Sequence, residues 1–193
     1  MEKKRGRPRN KETEKSILEA AWELSQTDGF HKLTIEKIAE QARVGKATIY
    51  KWWPNKTAII MDALFSKSML KSPLPNTGVL QQDLLLQAVT LVDFLHSMEG
   101  KLLIELIAEG QFDVKVAEEC LVRYFIPRRE NSKVLLRRGI ARKELKESAE
   151  LDMIIDMVFG PLFYKLLITK DAVSQEYIER LVDIVLKEYN IGH

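Results

Sequence analysis

A chain of 193 residues, 46% hydrophobic and 30% charged, is long enough for one large core or for a small domain fused to a larger one, which excludes disorder of the whole chain. The single cysteine, Cys120, excludes an intramolecular disulfide, and the charged beginning MEKKRGRPRN lacks the apolar stretch of a secretory signal, so the expected compartment is the cytoplasm. The net charge of +2 hides an asymmetry: residues 1–71 hold 15 Lys and Arg against 9 Asp and Glu, and the remainder is net acidic.

In chain order, residues 1–11 come first as a basic arm with Lys3, Lys4, Arg5, Arg7, Arg9 and Lys11 against Glu2. Charge of this density points to a polyanion partner, or to a solvated tail. Arginines beside Gly6 and Pro8 stay extended and slender, which suits the narrow minor groove of A/T-rich DNA. After the arm there is no strict apolar/polar alternation. Apolar residues recur at spacings of three and four over most of the length, so the expected fold is all-α.

Asn10 is placed to cap a first helix with the apolar face Ile17, Ala21 and Leu24, ending at Asp28-Gly29. Thr34 is placed to cap a short second helix (Ile35, Ile38, Ala39, Ala42). The turn Arg43-Val44-Gly45 leads to a third helix from Lys46 to about Trp53, since Pro54 disfavours helical geometry before it. A fourth helix runs from about Asn55 toward Ser72, and Lys71 to Gly78, with Pro73 and Pro75, reads as a linker. The domains are therefore expected at 12–72 and 78–193. Five further helical patterns lie near 80–98, 101–111, 114–138, 148–168 and 174–189, making about nine helices in all. The apolar runs at Leu102–Ala108 and Leu162–Ile168 fall far short of the roughly 20 residues of a membrane-spanning helix.

Two short helices joined by a tight turn form the helix-turn-helix pattern. In its second helix Ile49 faces the core, leaving Lys46, Ala47, Thr48, Tyr50, Lys51 and Trp52 over the surface that enters a major groove. Thr48 can bond a base edge or meet a thymine methyl, and Ala47 lets the backbone approach. Tyr50 and Trp52 offer polar hydrogens to phosphates, which Lys46, Lys51 and Lys56 neutralise. Lys56 also begins the fourth helix, whose free N–H groups favour a phosphate. Thr34 and Arg43 complete the candidate DNA-binding set. Trp53 reads better as packing than as a DNA contact.

The run LTIEKIA (Leu33–Ala39) followed by VGKATIYKWWPNK (Val44–Lys56) resembles the DNA-binding domain of TetR/AcrR-type regulators over residues 12–65. Pro127-Arg128-Arg129 and Gly160–Leu167 are similar to a C-terminal domain of one branch of that family. The resemblance implies a transcriptional regulator, usually a repressor, that binds a palindromic operator in double-stranded DNA as a homodimer and is released by a small-molecule effector. It implies DNA contact at Thr48, Tyr50, Trp52 and Lys56. One departure is Arg43, where the family usually has glycine: a left-handed turn there would strain an arginine by roughly 1–2 kcal/mol, unless Arg43 is kept for a phosphate. The segment Arg5 to Arg9 resembles the core of an AT-hook.

The resemblance also places the effector site among the helices at 80–138 and the start of 148–168. Residues of suitable character there are Phe94, Met98, Ile104, Ile107, Phe112, Phe125 and Phe163, of which two or three are expected to face a ligand and the rest to be ordinary core. It further implies a dimer held by the last two long helices. Ile178, Leu181, Val182, Val185 and Leu186 form a broad stripe on the last helix, with Ile154, Val158 and Leu162 on the helix before it. The stripe reads as intramolecular core or as interface, and interface is favoured because it is more than one small domain needs. His31, His96 and His193 pair with nothing at metal-ligand spacing, and there is neither a phosphate-binding glycine loop nor a nucleophile elbow. No enzyme, cofactor or membrane partner is expected.

Overall fold

In the computed structural model, which describes residues 11–67 and 73–189, α-helices follow one another and no strand occurs among the described residues. The chain divides into two compact units, Met1–Leu70 and Lys71–His193. The cap expected of Asn10 lies outside the described residues.

The first unit holds α1 (Lys11–Lys32), α2 (Ile35–Gln41), α3 (Lys46–Tyr50) and α4 (Lys56–Lys67). Ile17, Ala20 and Ala21 of α1 pack into a core that α4 fills with Ala58, Ile59, Ile60, Met61, Ala63 and Leu64. Helical geometry in α1 breaks at Gly29, whose φ of 75° is accessible to glycine at little cost, and the chain resumes so as to bury Phe30. Thr34 caps α2 by accepting a hydrogen bond from Lys37 N at 3.3 Å. The regular part of α3 ends at Tyr50, earlier than the expected Trp53. Lys51–Trp53 continue as a turn whose N–H groups reach Ala47 and Ile49, and Pro54 then stops it.

The second unit holds α5 (Leu80–His96), α6 (Met98–Glu109), α7 (Val114–Cys120), α8 (Ile126–Ala141), α9 (Leu151–Phe163) and α10 (Gln175–Tyr189). A π-helical turn, Leu121–Phe125, joins α7 to α8, and a second, Tyr164–Thr169, extends α9. Each wide turn lies beside a proline, Pro127 or Pro161, whose missing N–H interrupts the regular ladder. Around α5 the core gathers Leu80, Leu84, Ala88 and Val92 with Leu135 and Leu136 of α8 and the inner faces of α9 and α10.

That core corrects one expectation. Ile154, Val158, Leu162, Ile178, Val182, Val185 and Leu186 are 0–5% exposed within a single chain, so they hold the protomer together and are not available to a partner. Only Leu181 of the expected dimer set remains half-buried. What α9 and α10 leave outside is a different row: Met153, Met157, Tyr164 and Ile168 along α9 and its extension, and Ile184 on α10.

The proline-rich stretch is bonded to the second unit rather than left free. The buried Asp83 carboxylate accepts hydrogen bonds from Thr77 N (2.7 Å) and Thr77 Oγ1 (2.8 Å). Arg138 Nη1 donates to the Pro75 carbonyl at 3.0 Å, and Leu80 N donates to Glu144 Oε2 at 2.6 Å. Where α5 turns into α6, Ser97 accepts from Gly100 N at 3.1 Å, and a Cβ on Gly100 would sit 2.0 Å from the Phe94 carbonyl oxygen. Gly100→Ala is therefore expected to destabilise the protein by about 3 kcal/mol, read as a lower urea midpoint with an unchanged slope.

Candidate nucleic-acid interface and interior cavity

The turn between α2 and α3 is a Schellman motif: Val44 N donates to Ala39 O (2.9 Å) and Arg43 N to Glu40 O (3.1 Å). The motif requires a left-handed residue, and Arg43 supplies it with φ 55°. The side chain is exposed and, among the described residues, has no acidic partner. Arg43→Gly is expected to raise stability by about 1 kcal/mol by removing that strain. It should also weaken DNA binding if the guanidinium meets a phosphate. Thermal melting and a DNA titration read the two effects separately, and a variant that is less stable and binds equally tightly would reject both roles.

Beyond the turn, Ile49 is fully buried and fixes the roll of α3. Lys46, Ala47, Tyr50 and Lys51 are thereby exposed, Tyr50 at 54%, while Thr48 and Trp52 are half-buried at the edge of the same face. Lys46 Nζ pairs with Glu36 at 3.1 Å, and Glu36, bonded to its own backbone N–H and to Lys46, is held below the usual carboxylate range. Lys51 has no acidic partner among the described residues. Thr34 is exposed but its hydroxyl is committed to the cap. Lys56 is also engaged: its Nζ donates to Phe30 O at 3.1 Å and lies 4.2 Å from the Phe30 ring centroid. Trp53 is packing, with Nε1 donating to Asp62 Oδ2 at 2.7 Å. Arg5, Arg7 and Arg9 lie outside the described residues.

In the second unit a cavity of about 340 Å³ opens between α5, the first π-helical turn, α8 and α9. Three of the seven expected residues line it: Phe94, Phe125 and Phe163. Met98 and Phe112 are on the surface, Phe112 at 91% exposure, and Ile104 and Ile107 are half-buried on α6 away from the cavity. The widened turn brings Leu121, Tyr124 and Phe125 to the wall, with the Tyr124 ring stacked 6.0 Å from Phe94 and the Phe125 ring 6.0 Å from Phe163.

Sequence reasoning missed the polar wall: Gln87, Arg128 and Ser132. Ser132 Oγ donates to Gln87 Oε1 at 3.0 Å, and the Arg128 guanidinium lies 5.7 Å from the Tyr124 ring centroid. Burial pushes the Tyr124 phenol up to about 12 and lowers Arg128 from its ordinary value. The available signal was a pair of arginines, Arg128-Arg129, following the largely apolar stretch Leu121–Pro127. Cys120 is buried and its thiol pushed up to about 11, which makes it inert. Among the described residues no cluster of His, Cys, Asp or Glu could hold a metal ion, and no helix is long and apolar enough to cross a membrane.

Comparison with known proteins bears on both sites. A family model described as bacterial regulatory proteins, tetR family, matches residues 17–63, and one described as Tetracyclin repressor-like, C-terminal domain, matches residues 74–185. The chain is 49% identical over 182 residues, 94% of its own length and 92% of the other's, to the Bacillus subtilis (strain 168) protein named Uncharacterized HTH-type transcriptional regulator YdeS. It is 24% identical, over 89% of its length and 90% of the other's, to a Mycobacteroides abscessus protein named DNA-binding transcriptional repressor TetR. The crystal structure of TetR family transcription regulator SCO0332 is similar with a TM-score of 0.77 and 29% identity, covering 91% of this chain and 97% of that one.

Proposed function

Because this chain belongs to the TetR family of helix-turn-helix transcriptional regulators, whose members are not enzymes, we propose that it is a cytoplasmic repressor that binds a palindromic operator as a homodimer and leaves it when a small molecule enters the second unit. The observation that carries the DNA half of this reading is the face of α3. Four side chains suited to a major groove are exposed around one fully buried isoleucine, on a turn held by two backbone hydrogen bonds. A helix exposing Tyr50 and unpaired Lys51 without a groove to enter would expose them to no purpose. The basic arm is assigned to the adjacent minor groove on the strength of its sequence.

The homodimer is assigned to the row Met153, Met157, Tyr164 and Ile168 with Ile184, since these are the large apolar side chains that α9 and α10 leave exposed. The cavity, walled by aromatic rings with a few polar groups, has the character of a small-molecule site. The relative named a repressor supports repression over activation.

The deciding experiment is selection of bound duplexes from a random DNA pool at two salt concentrations, with the full chain and with a version lacking residues 1–11. A palindrome that stays enriched at the higher salt is the expected result, with flanking A/T preference lost on truncation. Salt-sensitive binding without an enriched sequence would instead make this an architectural DNA-binding protein.

A further inference from the structure

The cavity in the second unit has one charge that no carboxylate among the described residues answers. Of the two arginines on its wall, Arg129 is neutralised by Asp152 and Asp156 of α9, the first at 2.8 Å. Arg128, one residue earlier, has no carboxylate partner among the described residues, although it is half-buried against the Tyr124 ring. Two further groups beside it have donors to spare. The Tyr124 hydroxyl makes no hydrogen bond with the described residues, and the Gln87 side chain is held through its oxygen by Ser132, which leaves its amide N–H groups turned to a partner other than Ser132. The wall's other polar groups are already engaged, Thr90 Oγ1 donating to Leu86 O at 2.7 Å and Asp156 paired with Arg129, and the rest of it is apolar.

An isolated guanidinium in such surroundings costs free energy that a carboxylate would recover, and a carboxylate accepts two parallel N–H bonds from arginine. We propose that the cavity takes an organic anion with an aromatic or similarly apolar body, with Arg128 as the counter-ion of its carboxylate and Gln87 and Tyr124 as further donors. This rests on reading the cavity as the effector site. It narrows the effector to anions and sets it against cations, which the aromatic rings alone would also accommodate.

The test uses the full chain without DNA and reads binding by isothermal titration calorimetry. The probes share one body and differ in charge: 2-naphthoate, 2-naphthalenemethanol and 2-naphthylmethylammonium, with benzoate, benzyl alcohol and benzylammonium as a smaller set. At least one carboxylate is expected to bind tenfold or more tightly than its alcohol, and more tightly still than its ammonium. In Arg128→Leu that preference is expected to fall within threefold, whereas Arg128→Lys keeps the charge and most of the preference. The wild-type ratio decides the charge preference whether or not the leucine variant folds.

Binding of an alcohol or ammonium as tight as the carboxylate would overturn the proposal. So would a preference that survives Arg128→Leu, or no binding by either carboxylate at millimolar concentration. Release from the selected operator is then measured with the same probes. A carboxylate that binds through Arg128 and leaves the operator complex intact would uphold the anion site and remove the effector reading. A neutral probe that binds better and releases DNA would do the reverse.

Discussion

Neighbouring glutamates on α9 are expected to give opposite results: Met157→Glu a folded monomer, Val158→Glu a chain that does not fold. Met157 is 37% exposed on the outer row, whereas Val158 is fully buried between α5, α8 and α10. A carboxylate at Val158 would lose its hydration with no partner, a penalty of several kcal/mol, comparable with the whole stability of a domain. At Met157 it meets only water until two protomers associate, and two-fold symmetry then places the substitution in the interface twice. The dimer should weaken by more than a hundredfold, at about 1.5 kcal/mol or more for each copy. Light scattering after size exclusion, alongside circular dichroism, separates a helical monomer from an unfolded chain. If Met157→Glu remains dimeric, the outer row of α9 is not the interface.

The second large effect is on DNA. Tyr50→Ala combined with Lys51→Ala is expected to reduce operator affinity by a hundredfold or more with little change in melting temperature. Both side chains are exposed, so neither supports the core of the first unit. A good contact in the groove contributes about 1–3 kcal/mol, and a dimer makes each contact in both half-sites. The two residues differ in what they leave behind. Lys51→Ala alone should flatten the salt dependence of binding by nearly two counterions per dimer while weakening all sequences alike. Tyr50→Ala should leave the salt slope almost unchanged, since a neutral phenol displaces no counterion; a loss that relaxes the preference at one operator position would show that it bonds a base, and a uniform loss across sequences that it serves a phosphate.

The all-α fold was legible because its signals are local. Thr34 caps as its position suggests, Gly29 interrupts α1 where glycine is cheapest, and Pro54 ends the turn after α3. The face of α3 was equally open to inspection, since one isoleucine in a five-residue helix determines which side is buried. The division of labour on α9 and α10 was not, because both an inner core and a dimer face produce apolar residues at helical spacing. Which row turns inward depends on how α5 and α8 pack behind them. The proline-linked wide turns hid the cavity in a similar way. The first of them, Leu121–Phe125, sets Tyr124 and the following Arg128 on the wall, so that an arginine from the polar run Arg128–Ser132 lines an interior space. Phe112, by contrast, was chosen for its character alone and lies in the turn after α6, where nothing covers it.

The bonds made by the segment 73–79 bear on how such regulators exchange parts. Its composition advertises a hinge, but Thr77 and Pro75 are held by Asp83 and Arg138, and α5 begins on Glu144. A hybrid built by joining a foreign reading head after Gly78 would replace Thr77 and take its hydroxyl from the buried Asp83, leaving Arg142 at 3.5 Å as the remaining side-chain partner, at a cost of about 1–3 kcal/mol. The same hybrid joined ahead of Pro73 carries the whole set along. Recombination between relatives, natural or in the laboratory, thus has its permissive seam on the reading-head side of the prolines.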